Sequence, residues 1–418
     1  MVEIVDHSMC SGTRIDPIVH QPPFPKNYAD EFLVLDHGKG TEVWDKAGNR
    51  YLDFTGGIAV NALGHGRKDL AKIARRQMER LTHVSNLYTT QPALDLAARL
   101  VKTGNPGQFA AVHFGNSGTE ANEAALKYAR VYALRTKGEG HNKFLSFTGA
   151  FHGRTFGSLS LTFTEKYQKP YVPLVPGCEV APYNDVTAVA RLDQSFAGVL
   201  VEPLQGEGGL DRLSPAFAQA LQETCARHDI LVIADEIQCG YGRTGTFFAW
   251  QQLGLTPDIV TLAKPMAGGL PLSATLIPAK VNDVIHVGDH GTTFGGGPVT
   301  TAVANRVFDL ISDPSFLAKV ATRGQQLERL LDGLKKDLPF AVEVMGLGLL
   351  RGVRLRFDLA KKTLIDDVVA SCRAHGLLVL RAGTNVLRFA PPLTVSKKEL
   401  DGGVGILRAV LTERASEF

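Results

Sequence analysis

The chain has 418 residues, past the size at which one core keeps growing, so a division into two domains is expected. Hydrophobic residues make up 44% and charged residues 21%, the balance of a globular enzyme rather than of a disordered or membrane-embedded chain. A net charge of +3, with no concentrated run of Lys/Arg, leaves no nucleic-acid or membrane footprint.

Cys10, Cys178, Cys225, Cys239 and Cys372 are scattered without a CxxC pair and read as reduced thiols, not a disulfide frame or a zinc site. No apolar run approaches the length of a membrane span. Glu3, Asp6 and Asp16 argue against a secretion or organelle signal, so the expected compartment is the cytoplasm.

In chain order, residues 1–30 are polar and proline-rich and are expected to form an extended arm. Residues 31–75 open a smaller domain, with GTEVWDKAGNRYLDFTGG as a hairpin around a Lys-Ala-Gly-Asn turn. RKDLAKIARRQMERL and PALDLAARLVK have the apolar spacing of amphipathic helices. Residues 76–305 form the expected large domain, in which AAVHFGN, NKFLSFT, AGVLVEPL, ILVIADEI and DIVTLAK are strands separated by loops and helices. Strand–helix alternation implies parallel pairing through crossovers, hence an α/β, doubly wound, mostly parallel sheet. Residues 306–418 run helix, strands, helix, and complete a smaller α+β domain.

Parallel strands point their carboxyl ends at one edge, where ligands bind. DIVTLAK delivers Lys264 there, followed by Pro265, which cannot extend a ladder. Alone, such a lysine reads as a solvated loop residue. GNSGTEANEAALKYAR offers Gly115, Ser117, Gly118 and Thr119 ahead of a strong helix, and amides at a helix start bind phosphate. FHGRT supplies Phe151, an aromatic face for a flat group, and Arg154, a carboxylate holder. Asp235 ends five apolar residues, where a buried carboxylate needs a cationic partner. Glu236 beside it leaves an acid/base or metal pair open, although no histidine cluster supports a metal. LVEPLQGEGG ends a strand with Glu202 and continues to Gln205 and Glu207. GLGLLRG has the wrong glycine spacing for a dinucleotide site. Lysine, buried carboxylate, phosphate loop and stacking ring together are the groups that pyridoxal 5′-phosphate requires.

The stretches GGIAVNALGH, NSGTEANEAALKYAR, FHGRT, VEPLQGEGG, ADEIQCGYGRTG, LAKPMAGG, HGTTFGGGP and NVLRFAPPLTVS, in this order, resemble the class III (fold type I) pyridoxal-phosphate aminotransferases from about residue 30 onward. The resemblance implies that Lys264 carries the cofactor and shuttles the proton, and that Asp235 keeps the ring nitrogen protonated. It implies that Gln238 bonds the ring oxygen, Phe151 stacks, and Ser117, Gly118 and Thr119 hold the phosphate, with Thr293 reaching it from a second subunit of a homodimer. Arg154, Glu207, Thr292, Arg388 and Ile58 are implied on the substrate side. Arg154 would hold the donor's far carboxylate, Arg388 the α-carboxylate of 2-oxoglutarate, and Glu207 would gate Arg388.

The implied activity is ping-pong transfer of a terminal amino group to 2-oxoglutarate, with N-acetylornithine as the expected donor, a step of arginine biosynthesis. 4-Aminobutyrate, ornithine and succinylornithine are the alternative donors. Pro265-Met266 and GGGPVTTA depart from the family pattern at the pocket mouth, and Ile58 stands where ornithine-specific members carry tyrosine. A pyridoxal-dependent racemase or mutase, and a non-catalytic regulator, are the readings from other classes.

Overall fold

In the computed structural model of the chain, which describes residues 18–20, 24–28, 31–358, 360–361 and 363–418, the middle apolar runs form one seven-stranded sheet. Its strands are β1 (Ala111–Gly115), β2 (Lys143–Phe147), β3 (Cys178–Ala181), β4 (Phe196–Val201), β5 (Leu231–Asp235), β6 (Ile259–Leu262) and β7 (Ser273–Ile277), in spatial order β1-β7-β6-β5-β4-β2-β3. All neighbours pair in parallel except those of β7, which runs antiparallel to both β6 and β1.

Two of these strands were not among the expected ones. CEVA (β3) lacks an apolar run, and SATLI (β7) follows β6 too closely to suggest another crossover unit. The connection spans only residues 263–272, shorter than the dozen or so that a parallel crossover needs, so the chain must return antiparallel.

β4, β5 and β6 are buried along their whole length, as expected of parallel strands covered on both faces. Alternation divides their side chains. Leu231, Ile233 and Ile259 pack with Ala125, Tyr128 and Ala129 of helix α1 (Gly118–Lys137), while Val232, Ala234 and Val260 face the side of helix Pro215–His228, packing with Phe217 and Leu221. The carboxyl ends of β1, β2, β4, β5 and β6 therefore share one edge.

The expected hairpin forms from Glu42–Asp45 and Arg50–Asp53, with Asp45 accepting from the amides of Ala47 and Asn49 in the turn. Leu377–Leu378 adds to it in parallel from the far end of the chain. A separate four-stranded sheet contains Val386–Phe389, the strand that delivers Arg388. Helix Leu364–Ala374 was not anticipated. Within the expected arm, residues 1–17, 21–23 and 29–30 lie outside the described residues, and Ile18–His20 is a strand paired with Glu31–Leu33 rather than unpaired chain. Among the described residues, no helix is long and apolar enough to cross a membrane.

Candidate active site

Lys264 begins a single turn, Lys264–Ala267, directly after β6. Pro265 has no amide to donate, and Gly268 closes the turn at φ +59°, a left-handed backbone that favours glycine. The lysine is half-buried and lines a cavity of about 490 Å³. Burial pushes its ammonium below the usual lysine range; Glu207 and Asp235 pull it upward, and Arg388 pushes it further down.

Asp235 ends β5 and is buried. Its Oδ2 accepts from Asn122 Nδ2 at 2.8 Å and pairs with His152 Nδ1 at 2.8 Å, while Oδ1 accepts from the Ile237 amide at 3.1 Å. Asn122 is itself oriented, donating to the His152 carbonyl and accepting from Thr261 Oγ1. Neither Asn122 nor His152 was assigned a role from sequence. Their contacts to Asp235 cross 113 and 83 residues of chain, so only the helical phase of Asn122 and the strand-end position of FHGRT could have pointed to them.

Glu236 turns the other way, as strand alternation requires. It accepts from the amides of Ala249 and Trp250 at 2.9 and 2.7 Å. This corrects the acid/base or metal pair left open above: Glu236 is a buried cap for a short helix, with its carboxyl pushed up to about 7 by burial.

At the end of β1, Ser117 caps α1, accepting from the Glu120 amide and donating to the Glu120 carboxylate at 2.7 Å. The first amides of a helix have no intrahelical acceptor, and Gly118 and Thr119 line the cavity. A Cβ at Gly118 would stand 2.8 Å from Ile237, so the approach of these two segments requires glycine.

Phe151 and Arg154 also line the cavity. Arg154 is exposed, its guanidinium 3.5 Å from the centre of the Tyr167 ring and 5.5 Å from that of Phe151. Arg388 is buried behind the wall formed by Glu207 and Gln238. Its Nη1 donates to Glu207 Oε1 at 2.5 Å, to the Gly206 carbonyl at 2.7 Å and to Gln238 Oε1 at 3.3 Å. Burial raises the Glu207 carboxyl, but the charge and hydrogen bond of Arg388 outweigh it, so Glu207 titrates below the usual range. Glu202, noted above without a role, is buried in the same wall.

Three residues lie apart within this chain. Ile58 is exposed on the short turn Gly56–Ala59 at φ +61°. Thr293 lines a separate cleft with His83, Ser85 and Tyr88. The Thr292 carbonyl is held by Asn86 Nδ2 at 2.9 Å, and Lys127–His290 and Arg135–Asp289 contacts anchor the same segment.

The family model for aminotransferase class III matches residues 24–411. The chain is a class III aminotransferase. This aminotransferase is 43% identical over 387 residues to a probable mitochondrial acetylornithine aminotransferase of Dictyostelium discoideum, covering 91% of this chain and 83% of that one. Among solved structures it is similar to an ornithine aminotransferase of Toxoplasma gondii, with a TM-score of 0.88 and 31% identity, covering 95% of this chain and 94% of that one. It is also similar to an N-acetylornithine aminotransferase of Stenotrophomonas maltophilia, with a TM-score of 0.80 and 33% identity, covering 94% and 98%.

Aminotransferases of this class depend on pyridoxal 5′-phosphate, and the cavity of this aminotransferase fits that group. It offers an amine with lowered proton affinity, a buried carboxylate suited to a cationic ring nitrogen, amides at a helix start for a phosphate, and an aromatic side chain. The substrates of the class are an amino donor and a keto acid.

Proposed function

We propose that this aminotransferase moves the terminal amino group of N-acetylornithine to 2-oxoglutarate. The observation that carries the reading is the Arg388–Glu207 pair at 2.5 Å in the cavity wall, together with the names of the relatives. A free arginine there would repel the ammonium end of such a donor, whereas a paired one would not; when Glu207 swings away, Arg388 is free for the α-carboxylate of 2-oxoglutarate. Arg154 at the rim suits the donor's own carboxylate.

When bound, pyridoxal phosphate supplies a carbonyl that condenses with amines and a ring that accepts the electron pair left at the reacting carbon. Lys264, with its proton affinity lowered by burial, is the base that takes the proton from that carbon and returns it. Asp235, oriented by Asn122 and His152, would keep a positive charge on the ring nitrogen. The Gly118 and Thr119 amides, with the Ser117 cap behind them, would hold the phosphate, Phe151 would offer an aromatic face to the ring, and Gln238 would offer a hydrogen bond to the ring oxygen.

The same reading makes the protein a cytoplasmic homodimer, with Thr293 and Thr292 of one subunit serving the other's cavity and Ile58 at its mouth. Support comes from their distance from the cavity within one chain and from exposed Leu87, Tyr88, Leu94 and Phe294 in the same region. Residues 31–75 and 306–418 are read as one smaller domain around the larger 76–305, supported by the ladder between Leu377–Leu378 and the N-terminal hairpin.

The deciding assay is glutamate formation by cofactor-loaded protein from N-acetylornithine and 2-oxoglutarate, with 4-aminobutyrate, ornithine and N-succinylornithine in parallel. A catalytic efficiency for N-acetylornithine below that of any of these would overturn the donor assignment.

A further inference from the structure

Glu202 follows β4, and its buried carboxylate joins two separate segments. Oε1 accepts from the Phe151 amide at 2.9 Å, and Oε2 accepts from the Gly206 amide at 2.9 Å. The Gly206 carbonyl in turn accepts from Arg388 Nη1, the nitrogen that also pairs with Glu207. The Gln238 side chain packs directly on this backbone: a Cβ at Gly206 would stand 1.9 Å from Gln238 Oε1, so any side chain there would have to displace it. The Glu202 main chain is held as well, its carbonyl accepting from Tyr183 at 2.8 Å. A line of hydrogen bonds thus runs from the aromatic segment, through one carboxylate, to the arginine and its acidic partner.

We propose that Glu202 is a positioning residue that clamps the Phe151 segment to the Gly206–Glu207 segment, holding the Arg388–Glu207 pair closed and so setting the choice between a terminal-amine donor and a dicarboxylate. This rests on the reading of Glu207 as the gate of Arg388. Two amides on two oxygens favour the ionised carboxylate; once protonated, one oxygen is a hydroxyl, a weaker acceptor that needs its own partner. The titratable groups facing Glu202 are Asp235, His152, Lys264, Cys239 and Tyr183. Burial and then the Asp235 charge push the Glu202 carboxyl up to about 7, so the clamp weakens as pH falls through neutrality.

The test compares holoenzyme with its Glu202→Gln variant, whose amide NH2 would face a backbone N–H. Three quantities are read: hydrogen exchange at the Phe151 and Gly206 amides, glutarate affinity by calorimetry across pH 5.5–8.5 (roughly the range spanning the shift), and the ratio of the half-reaction rates with terminal-amine donor and with glutamate. In the variant, both amides exchange faster. Glutarate binds roughly tenfold tighter and the donor-to-glutamate ratio falls about as much, the worth of one charge-assisted hydrogen bond. Wild-type glutarate binding tightens as pH drops through about 7, whereas the variant's does not.

Equal slowing with both donors at unchanged glutarate affinity would make Glu202 merely structural and overturn the proposal. If the variant does not fold, the wild-type pH series decides alone, and a flat profile overturns it. An Arg388→Lys control separates the two readings. Glutarate binding that survives it removes the gate, and the clamp with it; binding that needs Arg388 but ignores Glu202 removes the clamp alone.

Discussion

The floor of the cavity and its mouth are built on different terms. The floor is assembled within one chain from the ends of β1, β5 and β6, and each group is braced: Asp235 by Asn122 and His152, the start of α1 by Ser117, Lys264 by a turn closed at Gly268. Of the groups proposed for the mouth, Arg154 and Ile58 are exposed, Thr293 belongs to another cleft, and the Thr292 carbonyl is held by Asn86. The difference separates reaction from selectivity. The floor is braced within one chain, whereas the groups proposed to choose among amines sit on loops and surfaces that the proposed dimer would cover.

Breaking the floor should have the largest effect. Lys264→Ala is expected to lower turnover by at least about 10⁴-fold and to remove the visible absorbance of lysine-bound cofactor; retained absorbance would point to a different lysine. Asp235→Asn keeps the cofactor bound but slows the enzyme on the order of 10³-fold, with a larger isotope effect on substrate deuterated at the reacting carbon. An unchanged rate would remove the case for a charge-holding carboxylate.

Changes toward the mouth should alter selectivity before rate. Arg388→Lys raises the KM for 2-oxoglutarate by roughly 100-fold, since a lysine cannot reproduce the forked contact. Arg154→Ala raises the KM for N-acetylornithine about tenfold and leaves the glutamate half-reaction alone, as suits an exposed charge; equal effects on both substrates would take Arg154 off the donor side.

The smallest catalytic effect is expected behind the floor. Glu236→Gln leaves kcat within about twofold but costs on the order of 1–3 kcal/mol of stability, because one of two capped amides loses its acceptor. The Glu236 carboxyl sits at about 7 in the folded chain against about 4.3 when unfolded. The folded chain therefore holds a proton there that the unfolded chain has lost. The associated stability is full below about pH 4, declines as pH rises to about 7, and is flat above. Denaturant titrations in a pH series should show that decline become shallower in the variant.

The sheet edge was legible in the sequence because each catalytic type follows an apolar run: Lys264 after DIVTLA, Asp235 after ILVIA, the glycine-rich loop after AAVHF. β3 and β7 were not, since the short CEVA has no apolar run and SATLI depends on a reversal that only the short 263–272 connection forces. Adjacent Asp235 and Glu236 look equivalent as letters; their opposite fates follow from strand phase, one facing the cavity and the other facing Ala249 and Trp250. The supports of Asp235 were invisible for another reason. Asn122 and His152 come from elements far away in sequence, and apart from the helical phase of one and the strand-end position of the other, nothing local announces a carboxylate partner.

The antiparallel strand of the seven-stranded sheet also bears on how the protein is made. β1 stands at the sheet edge and pairs with β7, so Gly115 is held by Ser273, a residue translated about 160 positions later. The helix start beyond Gly115 therefore has its local Ser117 cap early in synthesis but gains its β7 neighbour late. A contact of such long sequence separation forms late and slowly. The helix start proposed to take a phosphate is accordingly braced from the β7 side long after the helix itself has been made.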